Sequence, residues 1–480
     1  MNNMNENFQK EQKKSILRVI YVFVGLFILT IIYFTHFILV KSGDVINNAY
    51  NRRQGVLEEK VIRGNILSSK GEILARTAID KEGNEKREYP YGDMFAHVVG
   101  RYTRGISGIE EAENIRLLTS DINSIEKIVY ELSGQKNLGN NVITSLDVQL
   151  QKIAYESLGN NRGAVVVMEP NSGRILAMVS KPAYDPNKID STWDEVSSNE
   201  DESPLINRAT QGLYAPGSTF KIMTSLALMR QDPEYENYEY YCDSSIKYEN
   251  MVIRCAGKVA HGKVDLVKSL AKSCNTSFVN IGNSLDINQF RILCEEFLFN
   301  KNLPISMASS PSSFKLNSES GQKELMQTSI GMGKTLITPL HNAMIISTIA
   351  NKGSMMKPQV VLRVENADGH TIKRYTTQSI GNLMTLEEAD YLAQMLRSVV
   401  EDGTAKELKD LPFQVAGKTG SAEQEGKAPH AWFVGYAPYD NPRIAVSIIV
   451  ESVGTGSDYA VPIAKKLFQA YLDSENNGGF

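Results

Sequence analysis

One short motif places a hydroxyl where an amine could activate it. Ser218 is followed three residues later by Lys221, after an Ala215-Pro216-Gly217 turn and before an apolar helical stretch. Residues i and i+3 share a helix face, so the Lys221 amine can reach the Ser218 hydroxyl. Apolar neighbours such as Phe220 would desolvate the amine and lower its pKa. The pattern predicts a serine nucleophile with lysine as its base, near helix N–H groups that can stabilise an oxyanion.

The serine-lysine spacing alone is weak evidence, because SxxK occurs eight times in the chain. The eight copies start at Ser124, Ser133, Ser218, Ser244, Ser269, Ser312, Ser320 and Ser354. Only the Ser218 copy combines a Pro-Gly turn before it with an apolar helix after it.

Two further motifs add hydroxyl, amide and cationic groups. Ser273-Cys274-Asn275 lies 55 residues after Ser218, where a hydroxyl and an amide two positions apart could point into a cleft; a helix cap is the alternative. Lys418-Thr419-Gly420-Ser421 follows 413–416, a predicted strand. A cation and a hydroxyl on a strand suit a substrate carboxylate, and glycine lets an extended peptide dock along it.

Several other chemistries lack a signature. No GxSxG elbow is present, and the glycine-rich segment 331–335 lacks the earlier glycine of a phosphate loop because position 328 is Thr. Neither CxxC nor HExxH occurs, so we predict no metal and no cofactor. Cys242 and Cys255 could form a disulfide or remain buried thiols. The formal net charge of −4 argues against non-specific nucleic-acid binding.

Isolated side chains remain open to two interpretations. Cys274 would lie close to the cleft, although a small buried thiol is the preferred role. His261 and His430 could be ligands or bases, but packing or a local hydrogen bond is the simpler interpretation.

The first element of the chain is a long apolar run that could span a membrane. Val19 to Val40 contains no formally charged side chain, and at about 1.5 Å per residue it would span roughly 33 Å, enough for a bilayer core. A cleaved signal peptide is the alternative, but its apolar part is usually shorter. More basic residues precede the run than follow it, which predicts a cytoplasmic N-terminus and an external main body.

The remaining chain predicts an α/β (α+β) architecture with a central antiparallel sheet. Expected hairpins cover 63–75, 163–179 and 431–451, and expected helices cover 146–158, 264–287, 338–352 and 460–472. The stretch 214–229 is expected to start with a Pro-Gly turn and to continue as an apolar helix. Residues 186–206 are predicted to form a loop. Strands at both ends of the larger part predict a sheet that closes first against last.

The ordered set SxxK, SxN and KTG resembles the penicillin-binding protein and serine β-lactamase superfamily. Segments 96–100 and 105–110 look like the N-terminal module of class B penicillin-binding proteins, and 163–179 and 430–435 look like their transpeptidase domain. No segment is large enough for a fused glycosyltransferase. The apolar run and its flanking charges predict a cytoplasmic tail at 1–18 and a transmembrane helix at 19–40. The resemblance implies a pedestal or dimerisation-like module at 41–145 and a transpeptidase domain at 146–475.

The resemblance also implies a peptidoglycan D,D-transpeptidase that cross-links stem peptides and is acylated by β-lactams. The catalytic residues would be Ser218, Lys221, Ser273, Asn275 and Lys418, and the substrate-binding residues Thr419, Gly420 and Ser421. The implied partner is a polytopic glycosyltransferase. A D,D-carboxypeptidase or β-lactamase on the same fold, and a non-catalytic scaffold that regulates such a partner, are the alternatives.

Overall fold

The computed structural model describes residues 2–37, 53–249 and 251–476, in two compact units, Met1–Lys60 and Val61–Phe480. The first unit contains helices α1, Asn2–His36, and α2, Arg53–Lys60. Within α1, Lys13–His36 is long and apolar enough to cross a membrane. The predicted span is helical as far as it is described, and its last residues, 38–40, lie outside the described part.

The described helices of the second unit range from four to 21 residues in length. They are α3 Gly108–Ala112, α4 Asn114–Leu117, α5 Ser124–Leu132, α6 Val148–Leu158, α7 Ile189–Ser198, α8 Lys221–Gln231, α9 Leu266–Ala271, α10 Asn275–Ser284, α11 Ile287–Glu296, α12 Gln322–Ser329, α13 Pro339–Ala350, α14 Leu386–Glu401 and α15 Gly456–Asn476.

Within the described residues, the strands belong to the second unit. They are β1 Val61–Ile62, β2 Ile66–Leu67, β3 Ile73–Ile79, β4 Glu85–Glu88, β5 Asn137–Leu138, β6 Asn141–Thr144, β7 Gly163–Met168, β8 Ile175–Lys181, β9 Glu239–Cys242, β10 Ser245–Tyr248, β11 Met251–Arg254, β12 Gly262–Asp265, β13 Ser354–Met356, β14 Val361–Glu365, β15 Thr371–Arg374, β16 Ser379–Asn382, β17 Ala416–Gln424, β18 Lys427–Ala437 and β19 Ile444–Val450.

The central sheet has five antiparallel strands in the order β17-β18-β19-β7-β8. Strand β7, from the start of this region, pairs with β19, from its end, which confirms the predicted closure. Every residue of β7 and β19 is buried. Because alternate side chains point to opposite faces, both faces of these strands are covered. Helices α13 and α15 pack on this sheet and complete the core.

A second sheet joins early and late segments in the order β15-β14-β6-β2-β3-β4. The hairpin predicted at 63–75 is confirmed, since β2 and β3 pair antiparallel. Strand β14 then adds to β6, with Val364 opposite Val142. The early segment therefore completes its sheet with strands that the chain supplies more than two hundred residues later.

Three expectations differ from the structure. The loop predicted at 186–206 contains helix α7, because Ile189, Trp193 and Val196 recur at helical spacing and pack together in a small apolar cluster. The helix predicted at 264–287 is two helices, α9 and α10, separated at 272–274. The predicted strand at 413–416 begins only at its last residue and continues through the KTG motif as β17.

Candidate active site

Ser218 lies in a tight turn that leads into an apolar helix. A 3₁₀ turn, Gly217–Phe220, precedes α8, and Gly217 has a φ of +53°, a conformation that glycine adopts at little cost. The Thr219 hydroxyl donates to the Pro216 carbonyl at 2.8 Å, and the Asn342 amide of α13 donates to that hydroxyl at 3.2 Å. Thr219 is buried whereas Ser218 is partly exposed. The turn thus buries the residues on either side of Ser218 and leaves the serine itself accessible.

Lys221 is fully buried one turn after the serine. Its Nζ donates to the Ser273 carbonyl oxygen at 2.8 Å and to Asn275 Oδ1 at 2.7 Å, and lies 3.3 Å from Ser273 Oγ. Burial lowers the pKa of this amine to about 7. A neutral amine has two hydrogens, and the two carbonyl oxygens accept both. Its lone pair is then available to take a proton from a hydroxyl.

The SxN motif occupies the break between α9 and α10. Ser273 adopts a φ of +54°, Cys274 caps α10 and Asn275 is its first residue. The Asn275 Nδ2 donates to the Arg254 carbonyl oxygen at 2.8 Å, at the end of β11. The amide therefore holds the lysine with its oxygen and a neighbouring strand with its nitrogen. The side chains of Ser273 and Asn275 therefore do not cap the helix, which was the alternative interpretation of this motif.

Lys418, from the KTG motif, contacts the Ser273 hydroxyl, which Lys221 also approaches. Its Nζ donates to Ser273 Oγ at 3.0 Å and to the Thr419 carbonyl oxygen at 2.8 Å. Burial, followed by repulsion from Lys221, lowers the pKa of Lys418 well below its usual value. In the described part of the chain, no carboxylate forms an ion pair with either lysine. Thr419 is buried, and its hydroxyl hydrogen-bonds that of Thr404.

The remaining KTG residues pack beside the serine turn. A Cβ on Gly420 would lie 3.0 Å from Trp432 Cβ and 3.1 Å from Thr219 Cγ2, so glycine allows β17 to approach the turn. A Cβ on Gly217 would lie 3.0 Å from the Ser421 carbonyl oxygen, which places the Ser421 backbone beside the residue before Ser218. Ser421 itself is exposed.

The structure thus brings all three motifs together. One predicted contact is absent: among residues 2–37, 53–249 and 251–476, the Ser218 hydroxyl makes no hydrogen bond, to Lys221 or to any other group.

The glycine-rich segment 331–335 borders the site, which sequence reasoning did not predict. Gly331 has a φ of +76°, and a Cβ there would overlap the Gly217 carbonyl oxygen. The Gly217 N–H donates to the Gly331 carbonyl oxygen at 3.0 Å. Two backbones at this distance leave no room for a side chain. The two glycines in 331–333 were the available signal, and the first of them, Gly331, allows this close packing.

A cluster of possible metal ligands lies directly beside the SxN motif. The ligand atoms of Cys242, Cys255, His261 and Cys274 all lie within 4.8 Å of one another. The cysteines are free thiols, with 3.7 Å between the Cys242 and Cys255 sulfurs. We expected no metal because the short ligand motifs are absent, and this group contains none of those motifs. Short-motif searching missed it because the four ligands are spread over 242–274 and meet only in the folded chain.

An accessible serine and a buried lysine lie beside a hydroxyl-amide loop and the cationic edge strand β17 of the five-stranded sheet, an arrangement suited to a serine acyltransferase. Residues 163–469 match the penicillin binding protein transpeptidase domain, and residues 63–142 match the penicillin binding protein A dimerisation domain. The chain belongs to the penicillin-binding protein family, and to its class B branch.

Individual relatives agree with that assignment. The peptidoglycan D,D-transpeptidase PbpA of Mycolicibacterium smegmatis is 30% identical over 467 residues, which cover 90% of this chain and 91% of that protein. MrdA of Acinetobacter baumannii, also a peptidoglycan D,D-transpeptidase, is 30% identical and covers 80% of this chain and 66% of its own length.

Solved structures show the same fold. The D,D-transpeptidase domain of a peptidoglycan glycosyltransferase from Eggerthella lenta superposes with a TM-score of 0.79 and 30% identity, over 86% of this chain and 98% of that one. The ceftriaxone acyl-enzyme of penicillin-binding protein A from Mycobacterium tuberculosis superposes with a TM-score of 0.80 and 28% identity, over 86% and 99%.

Proposed function

We propose that this chain is a membrane-anchored peptidoglycan D,D-transpeptidase that works through an acyl-enzyme on Ser218. The observation that carries the proposal is the buried Lys221, whose two hydrogen bonds to carbonyl oxygens suit a neutral amine beside an accessible serine. The D,D-transpeptidase relatives, and the acyl-enzyme known for one of the similar structures, support it.

Acylation would transfer the proton of Ser218 to Lys221 while the serine oxygen attacks the carbonyl between two terminal D-alanines. The N–H groups of Ser218 and Ser421 would stabilise the oxyanion that forms. Collapse of this intermediate breaks the peptide bond, and Ser273 would pass a proton to the departing D-alanine amine. The contacts of Ser273 Oγ with both lysines support this relay, since the hydroxyl can accept from Lys418 and give its own proton.

Substrate binding would fall to the loop and strand on either side of the serine. Asn275 would hold the donor backbone, Thr419 would bind the terminal carboxylate, and the small Gly420 would let the peptide lie along β17. Lys418 would contribute positive charge or, when neutral, a hydrogen-bond donor. An amine from a neighbouring stem peptide would then attack the ester and regenerate the Ser218 hydroxyl with no net loss of peptide bonds. A β-lactam would acylate the same oxygen but leave its ring fragment tethered.

The membrane anchor would divide the chain into a cytoplasmic tail and an external part. Helix α1 would hold the protein in the membrane with the tail 1–18 in the cytoplasm and 41–480 outside, where peptidoglycan lies. The pedestal module at 41–145 and the span 19–40 would contact a polytopic glycosyltransferase partner, and 146–475 would carry the chemistry. Deleting the span while retaining covalent penicillin binding would test whether the anchor serves partnership rather than catalysis.

The decisive test compares two serines with the same spacing to a lysine. Ser218→Ala should abolish covalent labelling by a fluorescent penicillin, with the wild-type adduct mapped by mass spectrometry to the peptide that contains residue 218. Ser133→Ala, an exposed SxxK serine, should label as the wild type does. Circular dichroism would show that both variants are folded. Persistent labelling of Ser218→Ala would overturn the proposal.

A second readout separates the transpeptidase from the hydrolases on this fold. The full chain in detergent would receive a donor peptide ending in D-Ala-D-Ala and an amine acceptor. We expect the cross-linked product to exceed the hydrolysed one, and a long-lived penicillin adduct. Hydrolysis alone would identify a carboxypeptidase, and rapid drug turnover a β-lactamase.

A further inference from the structure

The four-residue ligand cluster has the dimensions of a tetrahedral metal centre. Cys242 Sγ lies 3.7 Å from Cys255 Sγ, Cys255 Sγ lies 3.8 Å from Cys274 Sγ, and Cys242 Sγ lies 3.4 Å from His261 Nδ1. Zinc-sulfur bonds of about 2.3 Å at tetrahedral angles require sulfurs about 3.8 Å apart. A disulfide requires about 2.05 Å. The observed separations therefore match shared ligation of one ion and not a covalent pair.

Four separate elements deliver these ligands to one point. Cys242 ends β9, Cys255 follows β11, and His261 precedes β12, which pairs with β9 so that Gly262 lies opposite Cys242. Cys274 comes from the break before α10. The three thiols form a small buried cluster of their own, separate from the main apolar core that contains Cys294. They are gathered around one another rather than packed as ordinary core side chains.

One hydroxyl lies among the three sulfurs and can donate its hydrogen to one of them as a thiolate. Thr276 Oγ1 lies 3.2 Å from Cys242 Sγ, 3.4 Å from Cys274 Sγ and 3.7 Å from Cys255 Sγ. Thr276 belongs to the first turn of α10, where free N–H groups and the helix dipole favour negative charge. Thiolate is the form of cysteine that binds metal.

We propose that Cys242, Cys255, Cys274 and the Nδ1 of His261 bind one zinc ion per chain. Three thiolates and an imidazole select a borderline-soft ion over magnesium or calcium, which prefer oxygen ligands. Four protein ligands complete a tetrahedral shell and leave no position for water or substrate. The site is therefore structural rather than catalytic.

The zinc site fixes the loop that carries Ser273 and Asn275, a consequence that rests on the proposed function. Cys274 stands between these two residues, and Cys255 directly follows Arg254, whose carbonyl oxygen accepts from Asn275. One ion thus joins both sides of that hydrogen bond. Because Ser273 adopts a left-handed conformation, its loop needs such support to hold its position against the two lysines.

Metal content tests the site without any activity measurement. The full chain, purified in detergent, should contain one zinc ion, and cobalt exchanged into it should show the visible absorption of a tetrahedral thiolate complex. Cys242→Ala and His261→Ala should lose the zinc. Cys294→Ala, a buried thiol in the main core, should retain it. A wild-type protein with reduced thiols that takes up neither added zinc nor added cobalt would overturn the proposal.

Zinc removal tests the link to the SxN loop. Chelation of the wild type should slow penicillin acylation by about tenfold or more, and added zinc should restore it. This wild-type comparison avoids variants that fail to fold. Unchanged acylation after complete removal would overturn the link. A protein that binds zinc but never forms an adduct on Ser218 would defeat the proposed function and leave the metal site standing, so the two failures are distinguishable.

Discussion

At the scale of single residues, the site is dominated by the burial of two amines without a carboxylate. An ammonium group that leaves water loses several kcal/mol of solvation unless an opposite charge compensates it. Lys221 and Lys418 are both fully buried, and both share the hydroxyl of Ser273. Losing a proton from at least one of the two amines costs less free energy than burying two unpaired ammonium groups. The neutral amine that results can act as the base.

The pH dependence of acylation should report this neutral lysine. The proposed base works only when Lys221 is deprotonated, so the acylation rate should rise with pH through about 7, where burial places its pKa. Below that value the rate should fall about tenfold per pH unit. Stopped-flow acylation by a fluorescent penicillin from pH 5 to pH 9 would measure it, with circular dichroism at each pH to show that the protein is folded. A rate that still rises tenfold per pH unit at pH 9, as an ordinary lysine with a pKa of 10.5 would give, would contradict the assignment.

The residue types of the site were predictable from the sequence, but their contacts were not. Apolar neighbours of Lys221 correctly indicated a desolvated amine. Helical spacing suggested that this amine contacts Ser218, whereas in the structure it contacts Ser273 and Asn275. Spacing within a helix says which side chains share a face, but the hydrogen bonds depend on a loop that arrives from another part of the chain.

At the scale of elements, the turn before Ser218 depends on a neighbouring glycine segment. Gly217 and Gly331 both have positive φ, and their backbones contact each other. A side chain at position 331 must move the turn, and misplacing a nucleophile by about 1 Å costs roughly 100-fold in rate. The glycine segment therefore acts as a spacer that sets where the serine stands.

Gly331→Ala should lower the acylation rate by about 100-fold, because its Cβ would displace the Gly217 carbonyl. Gly333→Ala is the matched control: its φ of +79° imposes similar backbone strain, but a Cβ there would meet nothing closer than 3.7 Å. Penicillin acylation rates and thermal midpoints of both variants would be measured. Equal losses in the two variants would show that strain, and not the clash, is responsible.

Element prediction succeeded where apolar periodicity was strong and failed where it was sparse. The runs that became β7, β8 and β19 are almost continuously apolar, and their pairing followed from their order. Helix α7 was missed because only a few apolar side chains, among them Ile189 and Trp193, mark its buried face within a polar segment. The cluster around Cys274 was missed because its ligands converge only through tertiary structure.

At the scale of the whole molecule, the segment 61–145 and the transpeptidase region share structural elements. Strand β14 extends the sheet of β6, and the Tyr375 hydroxyl donates to Glu113 at 2.9 Å. Within the early segment, fully buried Glu110 pairs with Arg63 Nη2 at 2.6 Å and with Arg87 Nε at 2.7 Å. Because one sheet contains strands from both the segment 61–145 and the transpeptidase region, the two should unfold together.

Glu110→Gln tests that coupling far from Ser218. Removing one charge from a buried ion-pair network costs about 3–5 kcal/mol, because the two arginines keep their burial without their partner. We therefore expect lower thermal midpoints by circular dichroism and by loss of penicillin labelling, shifted together. Glu88→Gln breaks the exposed pair with Arg76, worth at most about 1 kcal/mol, and should change neither midpoint appreciably. Suppose that the Glu110→Gln variant melted early by circular dichroism while penicillin labelling persisted to the wild-type temperature. The segment 61–145 would then unfold independently, and the shared sheet would not couple its unfolding to that of the transpeptidase region.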